Sequence, residues 1–249
     1  MKFVVCIKQV PDVASPIQLS GERIVTDTGR LVLNAYDASA VEEALVLTEK
    51  YGGEVHVVLA GPATATETIR KALAMGAESA THLKIDGELD SRGYAEILAA
   101  HLRAESFDVL ACGKQAQDTD AGLTGSMLAE LLSLPYAGNA VGLDIVNDRL
   151  IVTRQGDGGQ EIIELPTPCL VTCSNDMNDP RIPNLKGIMQ AKRKNIQVVE
   201  VEEPTGPPAT TIRRFEPMPE REPGRILDGE PADVVARLVS LLKTEAKVL

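Results

Sequence analysis

Short apolar runs rich in strand-forming residues alternate with longer segments of helical periodicity along the first half of the chain. The runs span residues 3–7, 55–59, 80–85 and 109–112. Continuous apolar runs are typical of strands that are covered on both faces, and their alternation with helices is typical of parallel βα units. We therefore expect an α/β fold with an open, mainly parallel, doubly wound sheet flanked by helices.

Four helices are predicted between and just after these strands. The first begins near Asp37 and ends at Gly52, and the second follows Gly61 and Pro62 and ends at Gly76, because these residue types favour helix caps. The third and fourth span about 91–103 and 123–132. Apolar runs at 141–145, 150–153, 161–165 and 170–173 then predict further strands, linked by tight turns and partly antiparallel.

The composition changes after about residue 200. Seven of the fifteen prolines lie between residues 204 and 231, which predicts an extended arm. A helix follows, and its apolar stripe consists of Val234, Val235, Leu238, Leu241 and Leu242. The stripe could fold back onto its own domain, but the long spacer favours another chain. We therefore divide the chain into an α/β domain at 1–200 and an arm with its helix at 201–249.

Charge and composition exclude several classes of function. The net charge of −11 argues against nucleic acid as a ligand. Three Phe, four Tyr and no Trp provide little material for an aromatic pocket, so a flavin would need contacts from another chain. No apolar run reaches the roughly 20 residues of a membrane span, and the first residues predict a strand instead of a signal peptide. We expect a soluble, cytoplasmic protein.

The residue types that usually carry catalysis or bind metals are not arranged for either role. The four cysteines and three histidines show no metal-ligand spacing, and each cysteine lies in an apolar run, which favours buried free thiols. Asp118 and Asp120 are expected to shape a loop and not to act as acid and base. Binding is therefore favoured over catalysis, and we assign no catalytic or metal-binding residue.

The segment GKQAQDTDAGLTGSMLAELL, residues 113–132, joins a predicted buried strand to a helix. Its glycines permit close approach of the backbone, and N–H groups at a helix start attract anions, so a phosphate would fit there. The spacing matches neither the Walker pattern nor GxGxxG, and a glycine-rich turn without a ligand remains open. Ligands of open parallel sheets bind outside the carboxyl ends of strands, which places residues 6–8, 34–37 and 60–62 beside this loop.

A strongly basic segment follows the last of these strands. Residues 181–195 contain five cations and no acid. Because the net charge of the chain is −11, the remaining residues together carry −11 − 5 = −16. Leu185, Ile188 and Met189 lie among these cations, while Pro180 and Pro183 predict a stiff, exposed loop. An apolar anchor with a charged rim is typical of a transient docking site for an acidic partner. A solvated face with a few core contacts is the alternative.

Four stretches together resemble the β subunit of electron transfer flavoproteins: VVCIKQVPD, NAYDASAVEEAL, GPATATETIRKALAMGA and GKQAQDTDAGLTG. The likeness covers essentially the whole chain and includes the family signature, which is carried here by residues 152–172. It implies a heterodimer in which a larger α subunit holds a redox-active FAD in a mobile domain, while the β subunit binds a structural AMP. It also implies an electron carrier that accepts electrons from flavin dehydrogenases, such as the acyl-CoA dehydrogenases of fatty acid oxidation, and passes them to a membrane quinone oxidoreductase.

The resemblance also implies which residues carry these functions. The AMP site would consist of Cys6, Asn34, Ala35, Tyr36, Asp37, Ala60, Gly113, Lys114, Gln115, Ala116, Gln117, Asp118, Thr119, Asp120, Ala121, Gly122, Leu123 and Thr124. The partner-docking segment, 175–196, would use Arg181, Leu185, Lys186, Ile188, Met189, Lys192, Arg193 and Lys194. Leu185 matches the leucine that anchors into dehydrogenases, and Lys186 and Gly187 replace a more usual Pro-Asn. The C-terminal helix would pack on the α subunit.

Two alternatives remain open from the sequence. Some relatives bind a second FAD in place of AMP and bifurcate electrons, usually with an apolar residue at the position of Thr124 and Gly-Pro at the position of Gly125-Ser126. The residues found here favour AMP. The second alternative is a stand-alone nucleotide-binding protein of the universal-stress type, which would share the α/β fold without a redox role.

Overall fold

The computed structural model describes residues 1–15, 18–21, 23–24, 29–202, 204, 206–216, 219 and 223–249. These residues belong to two compact units, Met1–Arg214 and Phe215–Leu249. Part of the predicted proline-rich arm, including Pro217, lies outside the described residues, and the described residues between 206 and 230 form no helix or strand. The proposed boundary near residue 200 stays a prediction.

Nine strands of the described residues form the main sheet of the first unit. In chain order they are β1 (Lys2–Ile7), β6 (Glu54–Gly61), β7 (Ser79–Lys84), β8 (Val109–Gly113), β9 (Tyr136–Val146), β10 (Arg149–Gly156), β11 (Gly159–Leu165), β12 (Cys169–Cys173) and β13 (Ile196–Glu200). Their order across the sheet is β11-β10-β9-β12-β8-β1-β6-β7-β13. Two short antiparallel pairs stand apart: β2 (Gln9–Pro11) with β5 (Leu31–Leu33), and β3 (Leu19–Ser20) with β4 (Arg23–Ile24).

The sheet is parallel from β9 to β13 and antiparallel only at the β9–β10–β11 end. The turn between β9 and β10 contains Asn147 and Asp148, both with positive φ, as a two-residue hairpin of this twist requires. The prediction of a mainly parallel α/β sheet with a partly antiparallel second half is confirmed. β9 begins earlier than the predicted run at 141–145, and the short strand β13 was not predicted.

Helices cover both faces of the sheet. Those of the first unit are α1 (Ala35–Tyr51), α2 (Thr66–Met75), α3 (Ser91–Leu102), α4 (Thr124–Leu132) and α5 (Leu185–Arg193). Phe3 and Val5 of β1 pack in one core cluster with residues of α1 and α2, whereas Val4 and Cys6 pack in a second cluster with residues of α3 and α4. Alternate side chains of a strand point to opposite faces, so β1 is buried on both sides. This explains its continuous apolar sequence.

The segment 181–195 differs from its prediction as a stiff loop, because residues 185–193 form α5. Asn184 caps this helix, since its Oδ1 accepts a 2.8 Å hydrogen bond from the N–H of Gly187. Lys192 and Arg193 lie in the last turn, where cations are favourable. Pro180 and Pro183 lie before the helix begins, so they do not interrupt it.

The second unit contains α6 (Pro231–Thr244), which confirms the predicted C-terminal helix. Val235 and Leu238 of its apolar stripe stay exposed within the unit to which they belong. In the part of the chain that the structure describes, every helix is too short or too polar to span a bilayer.

Candidate nucleotide site and docking surface

The order of the strands across the sheet reverses at β1, which makes β1 the topological switch point. β6 and β7 continue the sheet on one side of β1, whereas β8 and β12 lie on its other side. The loops that leave the carboxyl ends of β1 and β8 therefore diverge and open a crevice, which is where open α/β sheets bind ligands. The predicted nucleotide residues lie at the ends of β1, β5, β6 and β8, around this crevice.

Asn34 joins the β5–α1 connection to the loop after β8. Its Nδ2 donates to the carbonyl oxygen of Gln115 at 2.9 Å, and its Oδ1 accepts from the N–H of Gln117 at 3.2 Å. Gln117 returns a third bond, because its Oε1 accepts from the N–H of Ala35 at 3.2 Å. The two segments, more than 80 residues apart in the chain, are therefore held together, and Asn34 itself is buried.

Asp37 ties together the ends of the two central strands. Its Oδ1 accepts from the N–H of Gly113 at 2.8 Å, and its Oδ2 accepts from the N–H of Lys8 at 2.8 Å. Burial raises the pKa of Asp37 to about 7, although these hydrogen bonds and the charge of Lys8 act in the opposite direction. Asp37 thus fixes the spacing between the loops after β1 and β8.

Polar contacts also define the shape of the loop from Lys114 to Leu123. Lys8 Nζ bonds Asp118 Oδ2 at 2.6 Å, and Gln115 Nε2 donates to Asp120 Oδ1 at 2.8 Å. Asp120 and Gly122 have positive φ, which turns the backbone into the start of α4. Both carboxylates shape the loop, as their sequence context predicts.

The start of α4 has features that suit an anion. Leu123 occupies the capping position, and its side chain cannot accept a hydrogen bond from the first N–H groups of the helix. Gly125 allows a close approach to the sheet, because a Cβ at this position would lie 2.4 Å from Thr172 Cγ2. A phosphate could bind the N–H groups that Leu123 does not cap.

A polar cleft of about 630 Å³ adjoins the same loop. Lys114, Gln115 and Gly122 of the loop line it, and the facing wall comes from β9, β10, β11, β12 and the β10–β11 turn. That wall consists of Tyr136, Gly138, Asn139, Arg154, Gln155, Gly156, Asp157, Gly158, Glu161 and Thr172. The sequence did not predict a role for this wall, although several of its residues lie in the family signature at 152–172, and this was the signal that could have revealed it.

Cys6, Cys112 and Cys173 lie near the carboxyl ends of their strands and Cys169 at the opposite edge of the sheet, and none is arranged for chemistry. All four are buried and free, as predicted. Burial raises the pKa of the Cys6, Cys112 and Cys173 thiols and that of Cys169 to about 12, so all stay protonated at neutral pH. Among the described residues, no group of His, Cys, Asp and Glu side chains could hold a metal ion.

The candidate docking surface is the outer face of α5. Leu185 is 74% exposed and Met189 is 55% exposed, and both line an open cleft of about 480 Å³ together with Lys186, Gln190 and Arg193. Ile188 is also exposed. The surface therefore combines apolar side chains with cations, as the sequence predicts for this segment.

Two predicted docking cations interact within the chain. The guanidinium of Arg181 lies 2.8 Å from Glu42 Oε2 and 2.6 Å from Glu49 Oε1, both on α1, and these carboxylates raise its pKa. Lys194 Nζ donates to the carbonyl oxygens of Leu73 and Ala77. Both residues hold the segment in place, and their role in docking stays a prediction.

Comparison with known proteins identifies the family. The model of the electron transfer flavoprotein domain matches residues 23–204. An electron transfer flavoprotein subunit beta of Bacillus subtilis is 36% identical over 258 residues, covering 100% of both chains. The subunit beta of Homo sapiens is 38% identical over 207 residues, covering 80% of this chain and 81% of the relative.

A relative that is named as a subunit of a larger complex also matches over nearly its full length. The caffeyl-CoA reductase-Etf complex subunit CarD of Acetobacterium woodii is 34% identical over 258 residues and covers 98% of both chains. The family model, the full-length relatives and the mainly parallel sheet agree with one another. The chain therefore belongs to the electron transfer flavoprotein family, among its β subunits.

Proposed function

We propose that the chain is the β subunit of a heterodimeric electron carrier, that it binds a structural AMP, and that α5 docks flavin dehydrogenases. The FAD that carries the electrons would be held mainly by the α subunit. Electrons would pass from acyl-CoA dehydrogenases or similar enzymes to this FAD and then to a membrane quinone oxidoreductase. The observation that carries the proposal is the network in which Asn34 and Asp37 fasten three loops around the crevice at β1 and β8.

The chemistry of the crevice supports a mononucleotide. The start of α4 can bind a phosphate, and Lys114 supplies positive charge in the same loop, whereas the charge of Lys8 is paired with Asp118. The chain has only three Phe, four Tyr and no Trp, which suits an adenine better than an isoalloxazine held by this chain alone. AMP would then link the loops after β5 and β8 and make the subunit a rigid platform.

The surface of α5 supports the docking role. Leu185 and Met189 provide exposed apolar area, while Lys186, Lys192 and Arg193 would attract acidic groups of a dehydrogenase. Such a surface suits a partner that binds briefly and leaves after electron transfer. The flavin supplies the redox chemistry, and this chain's residues supply position.

Nucleotide content tests the proposal directly. The purified heterodimer is denatured, and the released nucleotides are separated and quantified by chromatography and absorbance. We expect one AMP and one FAD per heterodimer. An absence of AMP together with a single FAD would contradict the AMP assignment.

A second candidate function is an electron-bifurcating complex with two FAD per heterodimer. It is favoured by the match to the subunit of the caffeyl-CoA reductase-Etf complex. The same extraction distinguishes it, because two FAD and no AMP would support it. A stand-alone stress-type nucleotide-binding protein would instead remain monomeric when mixed with the α subunit.

A further inference from the structure

Little apolar burial holds α5 in place. Of its nine residues, only Ala191 is buried. A helix of this length is marginal in water without tertiary contacts. Other contacts must therefore keep α5 folded and oriented, since its exposed side chains face solvent.

Two cations on neighbouring elements provide such contacts, and they do so reciprocally. Arg70 of α2 donates from Nη1 to the carbonyl oxygens of Ala191 and Lys194, at 2.5 Å each. Lys194 directly follows α5. Its Nζ donates to the carbonyl oxygen of Leu73, in the last turn of α2, at 3.4 Å, and to that of Ala77, just after α2 ends. The carbonyl groups at a helix C-terminus lack partners within the helix and favour positive charge. Each cation thus caps the carboxyl end of the other helix.

The first turn of α5 lies equally close to α2. A Cβ at Gly187 would lie 2.6 Å from the carbonyl oxygen of Ala74, so the backbones approach as closely as only glycine permits. The helix is therefore held at its start by close backbone packing and at its end by the exchanged cations. This arrangement leaves little freedom to shift along α2.

We propose that Arg70 and Lys194 are positioning residues that hold the docking surface of α5 in the geometry met by a partner dehydrogenase. The inference rests on the proposed docking function, because it concerns how the same surface is presented. Neither residue needs to contact the partner. A preordered surface avoids the entropy cost of ordering the helix at each encounter, and a helix that is ordered only part of the time binds in proportion to that fraction.

The exchange measurement uses the complete heterodimer with four variants. Arg70→Met and Lys194→Met keep an unbranched side chain but remove the hydrogen-bond donors, and Arg70→Lys restores a cation. Arg92→Gln is the matched control, because Arg92 is an exposed arginine of α3 whose ion pair with Glu96 is local. Hydrogen–deuterium exchange measures the order of α5. We expect exchange in residues 187–193 to be roughly tenfold faster in both methionine variants, near wild type in Arg70→Lys, and unchanged in Arg92→Gln.

Steady-state reduction of the heterodimer by a purified acyl-CoA dehydrogenase provides the second measurement. We expect the methionine variants to raise the KM for the heterodimer about fivefold with kcat and FAD content unchanged, because only the competent fraction falls. Unchanged exchange of α5 would overturn the inference, as would faster exchange with a normal KM. Leu185→Ala separates this from a failure of the proposed function. If Leu185→Ala and the methionine variants all leave KM unchanged while the methionine variants speed exchange in α5, then Arg70 and Lys194 order α5 but α5 does not dock dehydrogenases.

Discussion

The N–H of Gly113 donates a 2.8 Å hydrogen bond to Oδ1 of Asp37, and a Cβ at Gly113 would lie 2.5 Å from that same oxygen. The strand β8 can therefore approach α1 this closely only with glycine at its end. The contact joins two residues that are 76 positions apart in the chain. It sets the width of the crevice where the nucleotide is proposed to bind.

Gly113→Ala should destabilise the heterodimer and remove its bound AMP. The added methyl would meet the Asp37 carboxylate and the Tyr36 side chain, both 2.5 Å away, and neither can move without disturbing the loops. Overpacking of this kind costs about 2 kcal/mol. Urea unfolding and nucleotide extraction measure the two effects. Gly206→Ala is the control, since a Cβ there meets nothing within 4 Å; equal effects of the two substitutions would contradict the explanation.

The stability contributed by Asp37 should depend on pH. Burial raises its pKa to about 7 in the folded chain from 3.8, so the folded state binds a proton that the unfolded state releases. Its contribution is fully present below pH 3.8 and is lost as the pH rises through 7. Asp37→Asn cannot titrate and lacks this dependence.

Urea unfolding of the wild type and Asp37→Asn at several pH values measures that difference. The advantage of the wild type should grow by about 1.5 kcal/mol as the pH falls from about 7 to 5.5. A constant difference across this range would show that Asp37 stays ionised in the folded chain.

Leu185→Ala should weaken docking without affecting folding. Leu185 is 74% exposed, so its truncation removes no core contact but deletes the central apolar group of the surface. Loss of such an anchor raises the KM for the dehydrogenase reaction by about tenfold. Leu131→Ala, at a half-exposed leucine on α4, is the matched control. A normal KM in Leu185→Ala with an intact fold would place the anchor elsewhere.

Docking should depend on salt through the cations of α5. Lys192 and Arg193 are exposed at its last turn. Because exposed charges are screened with a Debye length of about 8 Å at physiological salt, the KM should rise with ionic strength. The double variant Lys192→Gln/Arg193→Gln should flatten this dependence. Leu185→Ala should weaken docking but leave the dependence of KM on ionic strength unchanged. Equal salt dependence in the wild type and double variant would exclude these two charges.

The apolar stripe of α6 should be needed for assembly with the α subunit. Leu238 is 44% exposed within its own unit, and burial of such a leucine at an interface is worth about 1 to 2 kcal/mol. Leu238→Glu should therefore reduce recovery of the heterodimer in size-exclusion chromatography. Ser240→Glu adds the same charge to an exposed position of the same helix and should leave recovery of the heterodimer unchanged. If both assemble normally, the stripe does not contact the α subunit.

Local patterns in the sequence were enough to predict the parallel βα units in the first half of the chain. Apolar runs and helix caps are local signals, so they located β1, β6, β7 and β8 and the four helices near them. The parallel order followed because βα alternation leaves few other topologies. Family motifs then assigned roles to Asn34–Asp37 and to the loop after β8, and the structure brings these segments together at the switch point.

Tertiary packing determines which cations of the basic segment remain available to a partner. Arg181 and Lys194 looked equivalent to Lys186 and Lys192 in a basic segment, yet Arg181 pairs with Glu42, which is 139 residues away. Local sequence patterns do not predict contacts between residues so far apart in the chain. The cleft wall at Asn139 and Arg154 was not predicted, although Arg154 lies in the family signature, because β9, β10, β11 and β12 form it only after the sheet has assembled. Periodicity specifies which face of an element is buried, but packing decides which side chains meet.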